Sequence, residues 1–72
     1  MNEAVKRRQK RMRDICKDII GKAEGMLEDI NEIETDDDLA IIEMGFDMIE
    51  SWGKEGYEIV RNTYDEFEEA DE

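Results

Sequence analysis

Two long stretches of this chain place their apolar residues at the spacing of a helix, and a short acidic segment separates them. At about 100° per residue, Val5, Met12, Ile15, Cys16, Ile19, Ala23, Met26, Leu27, Ile30 and Ile33 fall within about 80° of one line. Nearly every charged residue of the stretch lies elsewhere. Positions 12, 16, 19, 23, 26, 30 and 33 alternate by four and three, the spacing of a coiled-coil-like seam. In the second stretch Ile42, Phe46, Ile49, Trp52, Val60, Tyr64 and Phe67 share one line, with Leu39, Ile41, Tyr57 and Ile59 at its margins. The pattern predicts helices over about residues 3–33 and about 36–69.

Between them, Glu34-Thr35-Asp36-Asp37-Asp38-Leu39 reads as a helix start. Thr35 is the expected N-cap, accepting from the first N–H groups, with Asp38 returning a bond three residues on. Three carboxylates suit the positive end of the helix dipole. The segment lacks the spaced ligands and central glycine of a calcium loop. Gly53-Lys54-Glu55-Gly56 resembles a loop in composition, yet the apolar phase is the same on both sides. One continuous second helix is therefore expected, a kink at Gly53 being the alternative.

Two such helices joined by a tight turn lie antiparallel, which makes the fold all-α, a helical hairpin forming one small domain over residues 1–72. Facing positions then sum to about 72. Arg7, Arg8 and Arg11 come beside Asp65, Glu66, Glu68 and Glu69, and Arg8 comes level with Tyr64, on which it is expected to stack. Both stripes span close to half a helix circumference, wider than one two-helix contact covers. Assembly into a four-helix bundle or larger homo-oligomer is expected to bury the rest. Gly45, Gly53 and Gly56 lie in the second stripe, where they are expected to let another backbone come close or to make room for Ile19 and Ile20 opposite. Gly21 and Gly25 point outward and are candidate points of backbone approach by a partner, a soft spot in the first helix being the alternative. Trp52 and Tyr57 are candidate anchors of such a contact. Of the methionines, Met44 alone points outward, while Met12, Met26 and Met48 are expected in the core. Cys16 on the seam is expected to be a buried small hydrophobe.

Composition narrows the chemistry. The 72 residues include 22 acids, 10 bases, no histidine and one cysteine, for a net charge of −12. Histidine-based acid/base work, histidine-liganded metals and an internal disulfide are excluded. Glu28-Asp29-Ile30-Asn31-Glu32 echoes one element of helical Mg²⁺-dependent nucleotide pyrophosphatases, but the second helix offers only Glu68 and Asp71 near its end. No enzymatic activity, metal or cofactor is expected. No apolar run approaches the ~20 residues of a membrane span and no signal-peptide core follows the basic N-terminus, so a cytoplasmic protein is expected, in the host cell if the source is viral.

Charge is divided along the chain. Residues 1–22 hold eight bases against Glu3, Asp14 and Asp18, a net of +5, whereas residues 23–72 hold Lys54 and Arg61 against 19 acids, a net of −17. Glu24, Glu28, Glu32, Glu43, Asp47, Glu50, Glu55 and Glu58 fall on outward faces, spaced by about one helix turn, ~5 Å. Such rows fit a basic groove that normally holds nucleic acid. The expected function is that of a stoichiometric binding protein of inhibitor type, comparable in kind to small acidic phage anti-defence proteins and antitoxins. Its partner would be a protein with a basic surface, such as a nucleic-acid enzyme. A structural oligomerisation module is the alternative, and nucleic-acid binding by the basic segment ranks behind both.

Overall fold

The computed structural model describes residues 3–71, with side-chain surroundings for residues 3–67. It is a helical hairpin: α1 runs Glu3–Asn31, α2 runs Asp36–Asp71, and the two pack antiparallel into a rod of 58 × 15 × 12 Å. Helix 2 is continuous through Gly53 and Gly56, in keeping with the unbroken apolar phase.

The turn is built around one carboxylate. Asp38 Oδ2 accepts from the backbone N–H groups of Glu34 at 2.8 Å and Thr35 at 3.0 Å, and the Thr35 hydroxyl donates to it at 3.4 Å. The Asp38 N–H closes the turn by donating to the Thr35 carbonyl at 3.1 Å. Asp38 thus performs the half of the capping box in which the third helical residue reaches back. The Thr35 hydroxyl acts as a donor here, contrary to the expectation that it accepts from the helix start. The same bonds explain why α1 stops at Asn31, two residues before the boundary expected from the stripe. The N–H groups of Glu34 and Thr35 are spent on Asp38 and cannot continue the i→i−4 ladder. Ile33 is left outside both helices and exposed.

The core is a narrow line of side chains. Val5, Ile15, Met26 and Ile42 are its buried apolar members, Ile15 being only 2% exposed. Gly45 is buried under Met26: a Cβ there would stand 2.6 Å from the thioether sulfur. Across Gly56, a Cβ would stand 3.9 Å from Ile15. Both pairs sum to 71, as expected for the hairpin, but the residues opposite the glycines are Met26 and Ile15, not Ile19 and Ile20. Ile20 is exposed. Gly53 differs again, since a Cβ there would meet nothing within 4 Å, so packing inside the hairpin does not account for it. Thr63, a polar member of the α2 stripe, satisfies its hydroxyl by donating to the Ile59 carbonyl at 2.7 Å.

Two outcomes follow from this geometry. The bonds from Glu34 and Thr35 hold the Asp38 carboxyl below its ordinary pKa. Its contribution is therefore complete above the ordinary carboxylate range and is lost as pH falls through the lowered value. Thermal melts of wild type and Asp38→Asn should differ at pH 7, with the wild type higher, and converge as pH falls below that range. Separately, Gly21→Ala and Gly25→Ala place a methyl in open space and should each stabilise α1 by about 1 kcal/mol, or several degrees in Tm. Gly45→Ala should lower Tm, because Met26 would have to leave its place in the core.

Candidate protein-docking surface

An antiparallel pair of helices covers only the strip along which they touch, and here one side of each apolar stripe extends beyond it. On that side a shallow apolar groove follows the hairpin for much of its length. Near the turn it is formed by Ala23, Met26, Leu27, Ile30, Phe46 and Ile49. In the middle it passes over Met12, Cys16, Ile19, Trp52 and Gly53, and toward the open end over Val60, Thr63, Tyr64 and Phe67. Met12 and Val60 belong to both of the last two stretches, which makes them continuous. The larger side chains stand well out: Leu27 is 64% exposed and Tyr64 66%.

Residues read as core are redistributed accordingly. Cys16 is exposed on the groove rather than buried in the seam. It lies one helical step, about 100°, from the buried Ile15 and on the uncovered side. Met48 is exposed, contrary to expectation, as is Met44, which was expected to point outward. Trp52 is half-buried and Tyr57 exposed, and both border the middle of the groove. Gly21 and Gly25 are exposed, with open space where a side chain would be. Lining the groove were not Gly21 and Gly25 but Leu27, Phe46, Val60 and Phe67, whose signal in the sequence was a stripe too wide for one neighbour.

Charge is arranged around this groove in two unequal halves. Residues 22–50, the half nearer the turn, contain eleven acids and one base, Lys22, for a net of −10. The remaining residues hold nine bases and eleven acids, a net of −2. Of the candidate acids, Glu24, Glu28, Glu32, Glu43, Asp47 and Glu50 lie in the first half and are exposed. Glu50 is paired with Lys54 at 3.2 Å along α2. Glu55 and Glu58 lie in the other half, and Glu55 does not belong to an unanswered row: both its oxygens accept from Arg11 Nη2, at 2.6 and 2.8 Å. This contact, chiefly its hydrogen bond and then its charge, raises the Arg11 pKa.

The basic segment is answered less completely than expected. Arg8 reaches Glu66 at 2.8 Å and donates to the Asn62 carbonyl at 3.3 Å, bridging the open end of the hairpin. Its N–H satisfies hydrogen-bond geometry toward Asn62, so Glu66 Oε2, shielded from solvent, is held by charge and proximity. Arg8 does not stack on Tyr64. Among the described residues the cation over a ring is Arg61, 5.7 Å from the centre of Tyr57. Lys6 pairs with Glu3 of its own helix at 3.8 Å. Among the described residues Arg7, Lys10, Arg13 and Lys17 form no ion pair, and the expected partners Glu68 and Glu69 have side chains outside the described residues. Among the described residues no group of three or more His, Cys, Asp or Glu is placed to hold a metal ion, and no helix is long and apolar enough to cross a membrane.

No protein-family model, curated protein or solved structure matches this chain. Its surfaces therefore carry the functional reading. Arg8 should matter for joining the helices: Arg8→Ala should cost about 1 kcal/mol and speed amide exchange in residues 59–67. Thermal melts and hydrogen exchange measure the two effects.

Proposed function

We propose that this is a non-enzymatic, stoichiometric protein-binding protein with two working surfaces. The apolar groove builds the hairpin into an assembly, and the acidic half nearer the turn is what the assembly presents to a basic partner. The observation that carries this reading is their separation. Leu27, Phe46, Val60, Tyr64 and Phe67 line one exposed groove, while Glu28, Glu32 and Asp47 are exposed and line no part of it.

Glu28 and Glu32 lie four residues apart on α1, about 6 Å along the axis, and Asp47 stands exposed on α2. A basic groove that binds nucleic acid provides complementary charge at comparable intervals, and association with it would be fast and salt-sensitive. Occupying such a groove, as an inhibitor of anti-defence or antitoxin type does, is the most specific form of this function. The protein supplies no reacting group; it competes by filling the site.

The test uses a panel of nucleases with basic duplex-binding grooves and a fluorescent duplex substrate. Inhibition should titrate at a fixed molar ratio, weaken at least tenfold between 50 and 300 mM salt, and disappear in the Glu28→Lys, Glu32→Lys, Asp47→Lys triple variant with helicity unchanged. If no nuclease of the panel is inhibited, or the triple variant inhibits equally well, the proposal fails.

A further inference from the structure

The groove has the area and the charged border of a surface made for a second copy of the same chain. The hairpin exposes 5957 Å², whereas a compact monomer of its mass exposes about 4,700 Å². The excess, about 1,300 Å², exceeds the roughly 800 Å² that each partner contributes to an ordinary stable interface. An interface of ordinary size on the groove would remove most of it.

Orientation comes from the charged residues beside the groove. Helix neighbours lie three and four positions apart, so Arg13 flanks Cys16 and Glu24 flanks Leu27 on the outer edge of α1. On α2 the same relation places Glu43 and Glu50 beside Phe46, and Lys54 and Arg61 beside Tyr57. All six are exposed. At these six positions the border is acidic on the turn side of Ile19 and Trp52 and basic on the other side.

We infer that the protein forms an antiparallel homodimer, a four-helix bundle whose two-fold axis crosses the rod at the level of Ile19 and Trp52. Such an axis lays α1 on the second copy's α1 and α2 on its α2. The midpoint of Arg13 and Glu24 falls between residues 18 and 19, and the pairs Glu50/Lys54 and Glu43/Arg61 are both centred on Trp52. One axis therefore brings Arg13 to the second copy's Glu24, Lys54 to its Glu50 and Arg61 to its Glu43. Parallel pairing instead sets the two acidic halves, −10 each, side by side. Gly53, whose missing side chain nothing in the hairpin explains, lies next to this axis, where the two α2 backbones come closest. Trp52, half-buried at the centre of the patch, is the anchor an interface of this kind uses.

This inference rests on the reading of the groove as an assembly surface and not on the acidic outer faces. Sedimentation equilibrium of the full chain from 5 to 300 µM should give twice the 8.5 kDa chain mass. The variants Arg13→Glu/Lys54→Glu/Arg61→Glu and Glu24→Lys/Glu43→Lys/Glu50→Lys should each self-associate at least tenfold more weakly, with helicity checked by circular dichroism, and an equimolar mixture should recover a dimer. Spin labels on Asn31→Cys in a Cys16→Ser background fix the direction. The label sites lie about 12 residues from the axis, so antiparallel copies separate them by about 40 Å and parallel copies by under about 20 Å. A monomer throughout the concentration range, a mixture that stays monomeric, or the short label distance would overturn the inference. A monomer that still inhibits a nuclease through Glu28, Glu32 and Asp47 would overturn it while leaving the inhibitory function standing.

Discussion

Two helices packed only on each other bury a strip, and the width of that strip governs everything else in this structure. A residue on the line of contact, such as Ile15 or Met26, is enclosed, while one a single helical step away, such as Cys16 or Leu27, is already in solvent. The hairpin responds by closing its strip tightly where it can. Gly45 admits Met26 almost to the α2 backbone, and a helix that gives up about 1 kcal/mol of propensity at that glycine gains a buried methionine. Close approach cannot widen the strip, however. Apolar residues beyond it are left exposed, and Leu27, Phe46, Val60, Tyr64 and Phe67 among them line the groove.

The turn determines which end of that rod is charged. Asp38 closes it by taking two backbone donors, and Asp36 and Asp37 favour the adjacent positive end of α2. Acids are thus stabilising just after the turn. Before it they are not: Glu28, Asp29 and Glu32 stand at the negative end of α1, where basic residues would be favourable and the last turn has none. Local helix energetics do not account for these residues.

Much of the fold could be read from spacing alone. The shared apolar phase across Gly53 to Gly56 gave a continuous helix, and facing positions that sum to about 72 gave Arg8 near Glu66, whereas Gly45 and Gly56 face Met26 and Ile15 and not the expected Ile19 and Ile20. Three features were hidden for physical reasons. Which side of a broad stripe stays uncovered depends on the roll of each helix, which spacing does not specify, and Cys16 was misplaced on that account. Arg11 found Glu55, several residues from the facing position, because a long guanidinium side chain chooses among acids within its reach by geometry. Thr35 and Asp38 can divide a cap in more than one way, and the division decided where α1 ends. The acidic surface was legible as a total, whereas its answered members, Glu50 and Glu55, emerged only with the partners in place.

Putting the two surfaces together adds a consequence that neither has alone. An antiparallel pair holds its acidic halves at opposite ends of one rod, so the dimer offers two equivalent binding ends where a monomer offers one. Against a partner that is itself dimeric, or that tracks along an extended basic channel, the second contact becomes intramolecular and raises avidity without any new residue. Because a thin two-helix core gains stability from association by mass action, the folded population and the bivalent one rise together with concentration.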